Sequence, residues 1–411
     1  MNFPLFIAKR YLFAKKSHNV INIISIISLF GVTMGVAALV VVLSVFNGFD
    51  SLIKKMYSTF DAEIKISLVE GKTFSPNLPE IEKLKTMEGV AIFVEVLEEN
   101  AIFRCGDKQY PGMIKGVSKN YATLTGVDSM MIDGTFDLWK ANQPHAIMGQ
   151  GVAYYLNARI SQFDPLIIYV PKRGKYTSLS PENLFTTKGI MLAGVFAIEV
   201  EFDSKYVIIP IEFARDLLNY TNEVTSIELK SKVGVKIETL QEKVKETLGS
   251  NYKVLNRFQQ NEVLFRTMKS EKLAIGFILS LILVIASFNI IGSLSMLIID
   301  KRSDVETIRS MGADNELIQK IFMAEGMLIT MGGTLIGTVF GLIICWAQTT
   351  FGLIKIQGSG SFIIDTYPVD IQLLDISLVL IIVIVIGFLA ARFPVRIITK
   401  RILNDSERGN M

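Results

Sequence analysis

The sequence predicts an α-helical membrane protein with four transmembrane helices and a large α+β domain inserted between helices 1 and 2. Two observations lead to this fold class. Four stretches of the 411-residue chain are almost free of charge, and they approach or exceed the roughly 20 residues that a bilayer-spanning helix needs. Between the first two lies a long polar segment that mixes strand and helix patterns and is large enough for its own core.

The charge and cysteine content indicate which partners and sites the chain can have. The chain has 42 basic and 39 acidic residues and a net charge of +3, and basic residues cluster at the ends of the apolar stretches. That placement is typical of membrane topology and contact with anionic membrane lipid, and it argues against nucleic-acid binding. Cys105 falls in the external segment and Cys345 in an apolar stretch. The two therefore cannot pair, and no redox or zinc framework is expected.

The apolar stretches differ in length and in their flanks. The first is too long for a cleavable signal peptide and lacks an A-x-A cleavage site, so it should remain as an anchor. The fourth is short, and it should span only if Asp375 and Arg392 at its ends snorkel toward the interfaces. The four stretches cover residues 21–46, 273–299, 326–354 and 376–391.

The basic residues also predict the orientation. They are frequent before the first span, between the second and third, and after the fourth, whereas the loop between the third and fourth offers only Lys355. By the positive-inside rule both termini and the middle connection should be cytoplasmic. The predicted division is a cytoplasmic segment with helix 1 (1–46), the external α+β domain (47–271), helix 2 (272–299), a cytoplasmic connection (300–320), helix 3 (321–354), a short external loop (355–375), helix 4 (376–395) and a cytoplasmic tail (396–411).

The external domain should contain both strands and helices. Ile64, Ile66 and Leu68 alternate with polar residues as in a half-buried strand, and Pro79 begins a helical pattern. Further strands are predicted over 166–170, 189–196, 206–209 and 226–230, with helices over 211–219 and 236–248. Residues 257–272 are polar but compatible with a helix that runs into the second span. Such a helix would transmit rigid-body motion or serve as a simple anchoring stalk.

Two local patterns admit two interpretations each. Residues 171–185 form a loop longer than most connections in compact domains, which indicates either a functional loop or a mobile surface loop. In the third span, Gly333, Gly337 and Gly341 form a small-xxx-small ladder that lets another helix approach closely. That helix could belong to the same subunit or to a second one.

The sequence lacks the motifs of an enzyme. It has no Gly-x-x-x-x-Gly-Lys-Ser/Thr phosphate loop, no His-Glu-x-x-His and no Gly-x-Ser-x-Gly, and its two histidines, His18 and His145, are far apart. We therefore expect neither ATP hydrolysis nor metal or triad catalysis in this chain. We also expect no buried ionisable residues of the kind that mark ion or proton pathways.

The connection between the second and third spans should form a short amphipathic helix. Ser303 followed by Glu306 fits a capping box, and Gly312 is placed to end the helix. An apolar stripe is predicted from Val305, Ile308 and Met311. A second helix can begin at Asp314. The short helix could insert into a groove on a soluble partner, or it could only float in the membrane interface.

Four stretches resemble a known family. The segments 6–13, 24–49, 287–312 and 392–396 are similar to those of the LolC/LolE permeases of the lipoprotein-releasing ABC transporter. The match extends over essentially the whole chain, although its membrane motifs are shared with FtsX-like and MacB-like permeases. The chain departs from its relatives at residues 162–165, where Gln-Phe-Asp-Pro replaces the usual Gly-Asp before the strand.

The resemblance implies a multi-pass subunit of the bacterial inner membrane with a periplasmic domain. Two copies of a LolD-like ATPase would bind the ATP and Mg, so this chain would need no cofactor of its own. A second permease subunit would complete a homodimer or a LolC/LolE-type heterodimer. The residues expected to couple to the ATPase are Val305, Glu306, Ile308, Arg309, Met311 and Gly312. A hook for a LolA-like periplasmic chaperone would include Pro171, Arg173, Tyr176, Pro181 and Phe185.

The implied lipoprotein cargo is demanding. At about 0.8 kcal/mol per buried methylene, moving three acyl chains from bilayer to water would cost on the order of tens of kcal/mol. An apolar chamber between the first two spans is therefore expected. Its lining, or alternatively ordinary helix packing, would come from Val41, Val45, Phe46, Phe49, Met268 and Phe277.

The leading functional hypothesis is a non-catalytic permease subunit that converts a partner's ATP cycle into release of lipoproteins to the chaperone. One alternative is an FtsX-like signalling subunit that activates a periplasmic cell-wall hydrolase and moves no lipid. Another is a MacB-like efflux permease, although the chain lacks a fused ATPase domain.

Overall fold

A computed structural model describes residues 3–13, 19–160, 164–172, 184–355 and 366–408. The chain divides into two compact units, one of long apolar helices and one that comprises residues 52–266. The helices are α1 (Phe3–Phe13), α2 (Asn19–Phe60), α3 (Pro79–Lys85), α4 (Tyr121–Thr125), α5 (Gln150–Leu156), α6 (Val200–Asp203), α7 (Ile211–Leu218), α8 (Ile237–Leu248), α9 (Arg257–Gln260), α10 (Glu262–Asp300), α11 (Arg302–Ser310), α12 (Asn315–Phe351) and α13 (Leu373–Arg408), with a 3-10 turn at Val127–Met130. The strands are β1 (Ile64–Leu68), β2 (Val90–Cys105), β3 (Lys108–Val117), β4 (Met131–Gly134), β5 (Trp139–Lys140), β6 (Gln143–Gly149), β7 (Leu166–Pro171), β8 (Phe185–Phe196), β9 (Tyr206–Pro210), β10 (Ser226–Ser231) and β11 (Tyr252–Asn256).

Within the described residues, α2, α10, α12 and α13 are the helices long and apolar enough to cross a membrane. The prediction of four such helices is confirmed. The fourth is longer than the sequence suggested, because α13 continues through Pro394 and its apolar portion covers Leu373–Ile397. The stretch 257–272 is not one helix: α9 ends at Gln260, Asn261 leaves helical geometry, and α10 begins at Glu262.

The glycine ladder packs against a helix of the same chain. A Cβ added at Gly333 would lie 2.9 Å from Val32, and one at Gly341 would lie 3.0 Å from Val40. At Gly337 it would lie 2.5 Å from the carbonyl oxygen of Thr33. All three contacts are with α2, so the ladder serves packing within the subunit. This resolves the choice between the two interpretations of the ladder.

We predict that Gly337→Ala lowers the stability of the helical unit by about 1–3 kcal/mol, the usual cost of overpacking. The new methyl group would force the α2 backbone away at Thr33. Thermal unfolding of the full chain in detergent measures the effect. Gly292→Ala, in α10, is the matched control because nothing lies within 4 Å of its added Cβ. Equal losses for both variants would contradict this account.

The second unit, which the resemblance implies to be periplasmic and which we call the periplasmic unit, contains a sheet in which β11, β1, β10, β2, β3, β9, β6, β8 and β4 are neighbours in that order. The strand β7 pairs with both β2 and β8. The pairing β2–β3–β9–β6–β8–β7 therefore closes into a ring. Most pairs are antiparallel, but β3–β9 and β6–β8 are parallel. The expected α+β class is confirmed in part. The unit contains both strands and helices, but its sheet combines parallel and antiparallel pairs.

Both faces of the sheet are covered. One buried cluster takes a side chain from each ring strand, namely Phe103, Ile114, Met148, Ile168, Leu192 and Val207. A second cluster contains Ile147 and Ile208, which alternate with members of the first. Burial on both faces explains the nearly continuous apolar runs in β6 and β9.

A buried carboxyl group lies beside these strands. Asp203, in α6, is almost fully buried and accepts a hydrogen bond of 2.8 Å from the backbone N–H of Ile198. Burial raises the pKa of Asp203 to about 7, although the neighbouring backbone N–H groups oppose the shift. The group therefore stabilises the fold fully below its unfolded pKa, near 4, and this contribution is lost as the pH rises through about 7.

We predict that the unfolding temperature of the chain falls between pH 5 and pH 8 and that Asp203→Asn reduces this fall. Asparagine resembles the protonated acid and can keep the bond from Ile198. Thermal unfolding of both chains at the two pH values measures the difference. If the two chains lose the same number of degrees, Asp203 does not titrate in this range.

Candidate functional site

The connection between α10 and α12 is a short helix with defined ends. The turn after α11 has the two bonds of a Schellman motif, from the N–H of Gly312 to the carbonyl of Arg309 and from the N–H of Ala313 to the carbonyl of Ile308. Gly312 has a φ of 96°, which favours glycine. Asp314 then caps α12 by accepting a bond of 2.8 Å from the N–H of Leu317. The predictions that Gly312 ends α11 and that the next helix begins at Asp314 are both confirmed.

The predicted capping box is wrong. The N-cap of α11 is Lys301, which makes no side-chain cap bond, and Ser303 lies inside the helix. Glu306 instead pairs with Arg302 one turn earlier, at 3.3 Å. The helix begins two residues earlier than expected because it follows α10 almost without a break. Glu306 therefore lies on the exposed surface of α11.

The apolar stripe on α11 has two different roles. Val305 is buried in a cluster with residues of α10, α12 and α13, so it holds the helix on the bundle. Ile308 is half-buried, whereas Met311 is 81% exposed. An exposed methionine beside the turn is a soft apolar contact that suits a partner surface. The members of the buried cluster are Leu297, Ile298, Val305, Ile318, Phe322 and Val395.

The two described ends of the expected hook belong to the paired strands β7 and β8. Pro171 and Phe185 are cross-strand partners, and the N–H of Lys172 donates to the carbonyl of Leu184 at 2.9 Å. The strands therefore continue to both ends of the predicted 171–185 loop. Arg173, Tyr176 and Pro181 lie outside the described residues. The base of the hairpin is fixed to β2, where Arg104 lies over the ring of Tyr169 at 5.6 Å.

The six residues predicted to line a cargo chamber do not share one wall. Val41, Val45 and Phe49 are four residues apart on α2 and so lie on one face. Met268 and Phe277 are nine residues apart on α10, which places them on opposite faces of a helix with 3.6 residues per turn. Met268 is 8% exposed and Phe277 77% exposed, in agreement. Their place in a cargo chamber stays a prediction. Phe46 is half-buried.

A polar network that the sequence did not predict ties three membrane helices together. Asn47 of α2 donates to Asp375 of α13 at 2.6 Å and accepts from Lys272 of α10 at 3.1 Å. Lys272 and Asp375 are 3.7 Å apart. Asp375 therefore has partners within the helical unit and does not simply snorkel. In the sequence, only the charges of Lys272 and Asp375 at the ends of spans two and four pointed to this network. Asn47 is an uncharged residue inside a helix, so its role could not be predicted.

The expectation that the spans bury no ionisable residue is wrong. Glu325 of α12 is fully buried, and neither carboxylate oxygen has a hydrogen-bond partner among the described residues. In the sequence this residue directly precedes the third apolar stretch, 326–354. The close approach of α10 and α13 at Gly326 explains its burial, because a Cβ there would lie 2.7 Å from Leu294 and 2.8 Å from Ala391.

No cluster of potential metal ligands occurs in the residues that the structure describes.

Two family models match the chain. The MacB-like periplasmic core domain matches residues 25–247, and the FtsX-like permease C-terminal domain matches residues 276–401. The periplasmic region of MacB from Actinobacillus actinomycetemcomitans is a similar solved structure, with a TM-score of 0.36 and 10% identity over 52% of this chain and 97% of that one. The two family matches, with the four apolar helices, define a membrane permease of the FtsX/MacB type.

Curated relatives are similar over nearly the full length. The lipoprotein-releasing system transmembrane protein LolC of Xylella fastidiosa is 24% identical, over 94% of both chains. LolC of Buchnera aphidicola subsp. Schizaphis graminum is 28% identical over 98% of both, and LolE of Haemophilus influenzae is 25% identical over 96% of both. The chain belongs to the LolC/LolE family of permeases. The resemblance noted from the sequence is confirmed.

Proposed function

We propose that this chain is the permease subunit of an ABC transporter that extracts lipoproteins from the bacterial inner membrane. Support comes from the names of its full-length relatives, which describe lipoprotein-releasing systems. The observation that carries the coupling step is the geometry of α11. Val305 anchors this helix on the bundle, while Met311 and Glu306 remain exposed.

In this proposal a partner ATPase binds ATP and Mg and receives α11 in a groove. Amphipathic helices commonly dock in this way, with a few apolar anchors. The contact surface comprises Glu306, Ile308, Arg309 and Met311, whereas Val305 and Gly312 set the position and end of the helix. Because α11 lies between α10 and α12, a push on it moves both membrane helices. The basic flanks support an orientation with α11 and both termini in the cytoplasm.

Cargo transfer is proposed to use the periplasmic unit. The β7–β8 hairpin would present the hook to a LolA-like chaperone, with Pro171 and Phe185 at its described base and Arg173, Tyr176 and Pro181 beyond it. An apolar route is required because the acyl chains cannot cross water at an acceptable cost. Val41, Val45 and Phe49 supply one apolar face for that route. A second permease subunit, identical or related, would supply the other wall.

The test is a cross-link from α11 to the ATPase. In a chain with Cys105 and Cys345 replaced by serine, Met311→Cys should form an adduct with the co-expressed ATPase after treatment with a bifunctional thiol–amine reagent. Val233→Cys, on a fully exposed position of the periplasmic unit, is the control and should form none. Absence of the Met311 adduct in an assembled complex, or modification of Met311→Cys by an impermeant reagent outside intact cells, would contradict the proposal.

A further inference from the structure

The periplasmic unit has a cavity that the transport proposal does not use. It has a volume of about 310 Å³ and lies between the last turns of α2, the start of α8 and the β11–α9 junction. This volume is at the lower end of the range for small-ligand sites. We call it the headgroup pocket, and its lining residues are Lys54, Lys55, Ser58, Ile237, Glu238, Asn256, Arg257, Phe258 and Phe265.

The charge of the pocket favours an anion. Among the lining residues, Lys54, Lys55 and Arg257 contribute three cations and Glu238 one carboxylate, while Asp61 and Glu63 act on Arg257 from outside the lining. Arg257 is held in place because its Nε donates to the backbone carbonyl of Asp61 at 3.1 Å. The twelve-residue helix α8 also begins here, and its N-cap makes no side-chain cap bond. The first backbone N–H groups of α8 therefore add positive potential to that of the cations.

The apolar side of the pocket and its position in the chain indicate a membrane ligand. Phe258 and Phe265 form an edge-to-face pair with ring centroids 5.0 Å apart, and Phe258 is half-exposed. Lys54 follows Phe49, the last residue before the charge of Asp50, by five residues, or about 8 Å of helix. The polar layer of one leaflet is about 5–8 Å thick. Lysine side chains at such a distance from an apolar span can reach back into that layer, where exposed aromatic rings are also common.

We propose that the headgroup pocket binds the phosphodiester of an anionic membrane lipid. Lys55 and Arg257 would contact the phosphate, and Phe258 and Phe265 would cover the glycerol and first methylenes. Lipid bound there would link the periplasmic unit to the membrane. This inference does not depend on which cargo the permease moves.

Native mass spectrometry of the full chain in detergent tests the proposal. We expect phosphatidylglycerol to bind more tightly than phosphatidylcholine with the same acyl chains. Lys55→Gln should weaken the phosphatidylglycerol complex about fivefold, as expected for loss of one cation near a lipid surface. Lys54→Gln should act in the same direction. Lys253→Gln, on β11 outside the pocket and exposed, makes the same charge change and should have no effect.

Three results would overturn the proposal. Equal binding of the two lipids would remove the role of net charge, and an equal loss in Lys253→Gln would show nonspecific attraction. If glycerol 1-phosphate in solution binds as tightly as phosphatidylglycerol, the source of the phosphate is a soluble metabolite and not the membrane. All three variants change exposed lysines, so the comparison between lipids on the unchanged chain guards against a folding defect in any one of them.

Discussion

Met311→Asp is expected to reduce ATP-driven lipoprotein release by at least tenfold while the chain still folds and inserts. Met311 is 81% exposed, so the substitution leaves the packing of the subunit unchanged. A carboxylate forced into an apolar groove of the ATPase would be desolvated without a partner. Losses of about 2 kcal/mol or more are typical when a central interface residue is changed. Release of a labelled lipoprotein per ATP hydrolysed measures the effect.

The controls separate coupling from folding. Met311→Leu keeps an apolar side chain of similar size and should retain most of the release activity. Val233→Asp introduces the same charge at a fully exposed apolar position of the periplasmic unit, and this variant should release lipoprotein at the wild-type rate. Wild-type release by Met311→Asp would exclude this residue from the coupling contact.

Lys115→Met is expected to destabilise the periplasmic unit by about 3–5 kcal/mol, the usual cost of removing one partner of a buried ion pair. Lys115 is 2% exposed and lies 2.9 Å from Glu228 and 3.4 Å from Glu98. Its ammonium group also lies over the ring of Phe60 at 4.7 Å. The substitution would leave the equally buried Glu228 without its cation.

The pKa of Glu98 provides a second measure of the same cluster. Burial alone would raise this pKa, but the cations Lys65 and Lys115 outweigh burial and lower it to about 2. Glu98 therefore stabilises the fold above its ordinary pKa, and this contribution is lost as the pH falls through about 2. In Lys115→Met the loss should begin at a higher pH.

A surface ion pair is the matched control for Lys115. Lys72 pairs with Glu99, but its side chain is largely exposed, so Lys72→Met should cost less than about 1 kcal/mol. Hydrogen exchange of β3 and β10 amides in the full chain measures both variants. If Lys115→Met and Lys72→Met have the same effect, the buried cluster does not hold the sheet together.

Local signals made much of the helical unit predictable. Long runs without charge identified the four apolar helices, and Gly312 and Asp314 marked the turn after α11 because each has a backbone role that few residues can fill. The ends of α10 and α13 were less predictable. Polar residues at a helix end continue the helix when neighbouring helices support them, as Lys272 and Asp375 show through their contacts with Asn47.

Long-range contacts could not be derived from the sequence. The closure of the β2–β7 ring joins strands more than sixty residues apart, and no local pattern encodes that pairing. The burial of Glu325 depends on two other helices that approach at Gly326. The headgroup pocket likewise collects residues from α2, α8, α9 and α10. The proposed hook residues Arg173, Tyr176 and Pro181 stay predictions.

The central claim is that ATP turnover by a partner moves a lipoprotein out of the membrane through this permease. The direct measurement uses proteoliposomes that contain the chain, its ATPase and a labelled lipoprotein, with the soluble chaperone outside. The account predicts that ATP transfers label from the vesicles to the chaperone and that omission of this chain prevents transfer. If the complex hydrolyses ATP while the lipoprotein stays in the vesicles, the account is contradicted.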